Sequence, residues 1–188
     1  EIVEQGLLVD GQKITLVNQR KPQNLPWQEL AVDVVLECTG AFKSQADNQG
    51  HLAAGAKKVI ISAPASDDSK TIVLGVNHHL LNKADQIISI GSCTTNCLAP
   101  IAHILDQALT IESGFITTIH AYTNDQNLLD ANHRDFRRSR AAALSMIPSK
   151  TGAAKTIGKI CPGLAGKLDG VAVRVPTPNV SMIDFCLT

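Results

Sequence analysis

The 188 residues are 44% apolar and 18% charged, which is enough apolar mass for a packed core and argues against disorder. Lys plus Arg and Asp plus Glu stand at 17 each, so the balance argues against a globally basic nucleic-acid binder, and aromatics at 3% leave little for base stacking. No apolar run is long enough to span a membrane, and Glu1-Ile2-Val3-Glu4 does not begin a signal peptide. Residues 6–17 alternate short apolar runs around Asp10-Gly11, the pattern of a hairpin. Val32 to Cys38 reads as a buried parallel strand ending at the turn Thr39-Gly40. A helix is expected from Gln45 to Ala56, punctuated by Gly55. Lys58 to Ser62 follows as a second buried strand closed by Ala63-Pro64. Thr71 to Leu74 and Gln86 to Ile90 are expected as further strands. This alternation predicts an open, mostly parallel α/β sheet whose ligand-facing turns are Thr39-Gly40 and Ser62-Ala63-Pro64.

Beyond residue 92 the character changes. Thr94 to Ala108 is predicted as an amphipathic helix presenting Leu98, Ile101, Ile104, Leu105 and Ala108 on one side. Gly114 to Ala121 is β-branched and reads as a strand. The long polar stretch Tyr122 to Ala143 is of a length that usually carries function. Thr151-Gly152 opens a small-residue helix running to Lys159. Val171 to Val175 and Val180 to Thr188 are strands separated by Pro176-Thr177-Pro178. A domain boundary is expected at Ser92, with residues 1–92 on one side and 93–188 on the other. The missing initiator methionine and the apolar final segment suggest an internal portion of a longer polypeptide.

Five cysteines, Cys38, Cys93, Cys97, Cys161 and Cys186, form no C-x-x-C pair, which favours free thiols and a cytoplasmic setting. Cys93 stands where a strand gives way to a helix. Unpaired N–H groups and the positive dipole end favour a thiolate there, although a buried inert thiol fits the same local pattern. Cys97, one turn on, has no nearby histidine or second cysteine pair to complete a metal site, so no metal is expected. His120 ends the 114–121 strand and is the candidate base for Cys93. His51, His78, His79, His103 and His133 read as surface or helix-face residues. Ser92, Thr94, Thr151-Gly152 and the guanidiniums of Arg137, Arg138, Arg140 and Arg174 are the groups with which proteins hold phosphate.

Ser92-Cys93-Thr94-Thr95-Asn96-Cys97, His120-Ala121-Tyr122-Thr123, Ile147 to Lys155 and Arg174 to Ser181 together resemble the phosphorylating glyceraldehyde-3-phosphate dehydrogenase family, with the family's interval between Cys93 and His120. That resemblance implies the latter part of a Rossmann-like dinucleotide-binding domain followed by the first part of an α+β catalytic domain. It implies Cys93 as nucleophile and His120 as base, oxidising glyceraldehyde 3-phosphate through a hemithioacetal and a thioester that inorganic phosphate cleaves. Thr123 and Arg174 match the residues holding the substrate's phosphate. Ser92, Thr94, Arg138, Thr151 and Gly152 match the pocket for inorganic phosphate, and Asp125 falls where the family often carries an acidic residue. Arg20, Thr39, Gly40 and Ser62 match the cofactor side.

The family's Gly-rich turn and ribose-binding acid belong before Glu1, and its nicotinamide-orienting Asn after Thr188. NAD is the expected cofactor, with NADP as the variant to which Ala131-Asn132 points. Many strictly NAD-dependent members have Leu-Pro at that position. The 122–143 segment resembles one that packs between subunits, which implies a homotetramer. An erythrose-4-phosphate dehydrogenase of the same superfamily is the nearest rival, and a non-catalytic fragment binding anions or RNA is the rival from another class.

Overall fold

The computed structural model describes residues 1–188. They form two compact units. One is Glu1–Lys70 with Asn82–Ser89, the other Thr71–Leu81 with Ile90–Thr188.

The first unit opens with an antiparallel meander of β1 (Ile2–Val3), β2 (Gly6–Val9) and β3 (Gln12–Thr15). Asp10 and Gly11 both have positive φ, 49° and 78°, as a two-residue hairpin turn of the right twist demands. The parallel sheet follows, with β4 (Val34–Glu37), β5 (Lys58–Ile61) and β6 (Ile87–Ser89) in sequence order. Helix α1 (Gln45–Ala53) is started by a capping box, in which the Ser44 side chain accepts from the Asp47 N–H and the Asp47 carboxylate accepts from the Ser44 N–H. It ends before the expected Ala56, because Gly55 takes φ 110° and reverses the chain. Val35, Val59, Ile61 and Ile87 form the core with Trp27, Val32 and Leu52 against it.

Two expectations for residues 1–92 need correction. The strand at 34–37 is buried on one face only. Val34 and Leu36 are 46% and 65% exposed, because α1 and the Trp27 segment form a single covering layer. Thr71 to Leu74 is not a strand. The Asn77 side chain accepts from the Val73 N–H (2.8 Å) and donates to the Thr71 carbonyl (2.9 Å), closing a turn that competes with sheet pairing. Of the two readings given for His51, surface or helix face, the second is the one seen, on the buried side of α1.

The second unit is a mixed four-stranded sheet under two helices. Its strands are β7 (Gly114–Ala121), β8 (Ile147–Lys150), β9 (Leu168–Val175) and β10 (Ser181–Leu187), in the order β10-β7-β9-β8. β7 runs parallel to β9 and antiparallel to β10, so it is hydrogen-bonded along both edges. Gly170 is dictated by close approach, since a Cβ there would lie 2.5 Å from the Ile116 carbonyl oxygen. Helices α2 (Cys93–Leu109) and α3 (Ala153–Ile160) cover one face through Leu98, Ala99, Ala102, Ile157 and Ile160, which meet Ile116 and Leu168.

The apolar stripe of α2 therefore differs from the expected one. Leu98 and Ala102 face the core with Leu105 packed beside them. Ile101 and Ile104 are 46% and 63% exposed, and Ala108 is exposed too. Hydrophobicity alone does not say which of two apolar flanks turns inward, and the small residues Ala99 and Ala102 are what let the helix approach the sheet. Ile157→Ala is expected to destabilise this unit by about 2–5 kcal/mol through an unfilled cavity. Ile101→Ser should stay within about 0.5 kcal/mol. Chemical denaturation of both variants checks the assignment, and equal losses would refute it.

Candidate functional site

Strand β6 is followed by Gly91 (φ 71°), whose left-handed backbone turns the chain into Ser92. Ser92 caps α2. Its Oγ accepts from the Thr95 N–H (3.1 Å) and lies 2.9 Å from Thr95 Oγ1. Cys93 is thereby the first residue of a seventeen-residue helix, among N–H groups that have no intrahelical partner. It is exposed and free, which removes the buried, inert reading.

At the carboxyl end of β7, His120 places Nε2 3.3 Å from Cys93 Sγ. Behind the ring, Nδ1 lies 2.7 Å from the Ala121 carbonyl oxygen and 2.9 Å from Arg174 Nη1. Arg174 Nη1 also donates to that carbonyl (3.0 Å) and to Thr123 Oγ1 (3.3 Å). Arg174 comes from β9, directly opposite His120 in the register, so strand pairing alone brings the guanidinium to the imidazole. The arrangement admits two tautomers. With Nδ1–H donating to the Ala121 carbonyl, the Nε2 lone pair faces the thiol. With Arg174 donating to Nδ1, Nε2–H faces a thiolate. From the first arrangement, transfer of the thiol proton to Nε2 gives a thiolate facing an imidazolium whose Nδ1–H stays on the Ala121 carbonyl, and the second arrangement holds one proton fewer.

Burial is the main cause that holds the His120 pKa below the ordinary imidazole value. The Ala121 carbonyl opposes it, and the Arg174 and Arg138 cations add to it. Burial and the two cations thus favour the neutral ring.

Arg138, on a short 3-10 turn at Phe136–Ser139, pairs through Nη1 with the Asp125 carboxylate and donates through Nη2 to Ser149 Oγ (3.3 Å). His133, 3.9 Å away, and Arg134, 3.6 Å away, also face Asp125. Thr151 Oγ1 accepts from the Ala153 N–H, and Gly152 is the N-cap of α3. Thr94 Oγ1 stands 4.0 Å from Cys93 Sγ. The geometry thus joins Cys93, His120, Thr123 and Arg174 directly. Ser92 and Thr151 serve helix starts, and Arg138 has its own partners. Asn132 is exposed in the long segment, where its carbonyl accepts from Asn127 Nδ2.

In the first unit, Thr39-Gly40 and Ser62 follow the carboxyl ends of β4 and β5. The Ser62 N–H donates to the Glu37 carbonyl (3.0 Å). Sequence reasoning passed over what organises this edge. Buried Glu37 accepts from the Thr39 N–H (2.8 Å) and the Thr39 hydroxyl through Oε1, and its Oε2 faces His51 Nε2 at 3.3 Å. His51 Nδ1 accepts from Trp27 Nε1 at 3.0 Å. The signal available was a glutamate at an inward position of a strand, which demands partners. Arg20 is exposed in irregular chain between β3 and Pro22.

A thiol at a helix start thus lies within reach of an imidazole whose far nitrogen meets a carbonyl and a guanidinium, on an α/β scaffold. Residues 92–188 match the C-terminal domain of glyceraldehyde 3-phosphate dehydrogenase, and residues 1–45 match the NAD-binding domain of the same family. The chain belongs to the glyceraldehyde 3-phosphate dehydrogenase family. It is 58% identical over 173 residues to the glyceraldehyde-3-phosphate dehydrogenase of Xanthobacter flavus, covering 92% of this chain and 51% of that protein. Identity is 56% over 181 residues to that of Pseudomonas aeruginosa (96% and 54%) and 53% over 180 residues to that of Zymomonas mobilis (95% and 53%). The chain spans about half the length of these relatives.

The residues present fit part of a dinucleotide. Gly40 has φ 71° with open space beyond its α-carbon, and Ser62, at the carboxyl end of the neighbouring strand, is exposed, so both leave room for a ligand. No pyrophosphate cradle accompanies them. The start of α1 is already filled by the Asp47 carboxylate, and Asp67 accepts from the Gln45 N–H.

Arg174→Gln removes one cation from behind His120, so the ring pKa should rise towards about 6.5, the free value. In the unaltered protein the ring is expected to titrate below its ordinary value. NMR titration of the His120 ring reads both, and a downward shift in the variant would refute the electrostatic account.

Proposed function

We propose that this chain carries the thiol-acylation centre of a phosphorylating glyceraldehyde-3-phosphate dehydrogenase. The observation that carries the reading is the 3.3 Å approach of Cys93 Sγ to His120 Nε2 at the start of α2. His120 takes the thiol proton, the thiolate sulfur forms a bond to the aldehyde carbon as the C=O π bond opens, and the imidazolium returns the proton to the resulting oxyanion. The resulting hemithioacetal O–H is deprotonated by His120 as hydride leaves carbon. A bound nicotinamide dinucleotide supplies the hydride acceptor, with Thr39, Gly40 and Ser62 as residues that would border it. The product is a thioester on Cys93. An oxygen of inorganic phosphate attacks its carbonyl, the C–S bond breaks, and an acyl phosphate departs. Backbone N–H groups at the start of α2 and the imidazole face the oxyanion. Thr123 and Arg174 hold the substrate's phosphate. Ser92, Thr94, Arg138, Thr151 and Gly152 border the site of the attacking phosphate. In this reading residues 1–92 belong to the NAD(P)-binding domain and 93–188 to the catalytic domain. NAD is the first choice, NADP the variant that Asn132 would serve, a homotetramer the assembly, and the cytoplasm, where five free thiols persist, the compartment. No helix is long and apolar enough to cross a membrane.

The thioester half of this chemistry is testable without dinucleotide. Incubation with acetyl phosphate is expected to transfer one acetyl group to Cys93, detected by peptide mass spectrometry. Cys93→Ser should abolish that label, and His120→Asn should slow it by about 10²–10⁴-fold. Acetylation that ignores both substitutions would overturn the proposal. In the complete enzyme, phosphate-dependent reduction of NAD by glyceraldehyde 3-phosphate should vanish with Cys93→Ser.

A further inference from the structure

Thr123, Asn124 and Asp125 are all exposed, yet the residue that follows them, Gln126, is 9% exposed. Its side chain turns back on Thr123. Gln126 Oε1 accepts from the Thr123 N–H (3.3 Å), and the Gln126 N–H donates to the Thr123 carbonyl (2.9 Å). The side-chain bond is one half of a capping box, and a backbone turn closes the other side, clamping one residue of a loop without starting a helix. Because an N–H can only donate, the amide oxygen must face Thr123, and Nε2 must face away. There it is buried with no acceptor. An orphaned buried donor is unfavourable, and a leucine or methionine would fill the same volume without one. What glutamine adds is the acceptor for Thr123.

That acceptor matters because of what Thr123 does next. Held at both its N–H and its carbonyl, Thr123 points Oγ1 at Arg174 Nη1 (3.3 Å), and the same nitrogen reaches His120 Nδ1 (2.9 Å). We propose that Gln126 is a positioning residue for the anion pocket. It fixes the Thr123 hydroxyl beside the Arg174 guanidinium, so that the pair receives the phosphate of an acyl or aldehyde substrate while the guanidinium stays in register with the base. The proposal rests on the reading of Thr123 and Arg174 as the groups that hold the substrate's anion.

The test compares two alkylating reagents at Cys93, read by peptide mass spectrometry on the whole chain. Iodoacetate carries a carboxylate into the pocket, and iodoacetamide is its neutral counterpart. Gln126→Met keeps the volume and removes the acceptor. The iodoacetate-to-iodoacetamide rate ratio is expected to fall on the order of tenfold, the factor attached to one lost hydrogen bond. A ratio that stays at the unaltered value, including the case in which both rates fall together, overturns the proposal. Thr123→Ala separates the two layers of argument. If it lowers the ratio and Gln126→Met does not, the positioning role alone fails. If Thr123→Ala leaves the ratio unchanged, the anion-pocket reading fails with it. Should Gln126→Met not fold, amide hydrogen exchange in the unaltered protein decides. The Thr123 N–H is expected to be protected at least tenfold over its random-coil rate, and exchange at the random-coil rate overturns the clamp.

Discussion

The approach of Cys93 to His120 is the contact on which the rest of the second unit depends. It is not a local contact, since 27 residues separate the two in sequence. It requires the start of α2 and the end of β7 to meet, and each is fixed by something other than chemistry. β7 is hydrogen-bonded on both sides, to β9 and to β10, so its carboxyl end cannot drift along the sheet. α2 lies on the face of that sheet through Leu98, Ala99 and Ala102, all inaccessible, against Ile116. A shift of α2 by one residue would turn these away and lose close-packed contacts that a core does not give up lightly. The thiol–imidazole distance is therefore held by apolar packing and backbone pairing, while the two reacting groups remain free to exchange a proton.

Arg174 extends the same logic across the sheet. Its position opposite His120 follows from the β7–β9 register, and a single guanidinium nitrogen meets the imidazole, a carbonyl and the Thr123 hydroxyl. One cation thus links the base to the groups we assign to anion binding. Its charge opposes protonation of His120, which keeps a base available. The same charge would attract an anion, and one bound there would partly relieve the pressure on the imidazole. Arg138 is held differently. Its pairing with Asp125 means that an incoming anion competes with a carboxylate already in place.

Much of this was legible in the sequence, and the gaps have identifiable causes. Gly114 to Ala121 was readable to the residue because its β-branched run is bounded on both sides by polar or turn-forming positions. The helix expected over Thr94 to Ala108 was legible from its apolar spacing, and it starts one residue earlier, at Cys93, because the Ser92 hydroxyl accepts from the Thr95 N–H. The strand Ile147–Lys150 was not, because it contains Pro148 and lies at the sheet edge where proline is tolerated. Thr71 to Leu74 looked like a strand by composition, and the Asn77 side chain, three residues beyond it, made it a turn. The core side of α2 was misjudged because two apolar flanks compete and only tertiary contact chooses. His51 was passed over because its partners Trp27 and Glu37 lie 24 and 14 residues away, and nothing local announces them.

His51 and His120 make an instructive pair. Both sit among partners on each ring nitrogen, and the difference lies in what those partners can do. Trp27 Nε1 can only donate, so His51 Nδ1 must accept. The proton then belongs on Nε2, facing the Glu37 carboxylate, which in turn holds the Thr39 N–H and hydroxyl. Every group in that chain has one role, and moving the proton to Nδ1 would set two donors against each other. Such a network braces the Thr39-Gly40 turn and does no chemistry. His120 has an acceptor and a donor both within reach of Nδ1, so either tautomer finds a partner. A proton can leave Nε2 or arrive there without stranding the other nitrogen. Buried His51 on α1 and buried His120 near the end of β7 thus differ in what Nδ1 is offered, only a donor in the first and an acceptor as well in the second, which is what proton uptake at Nε2 would need.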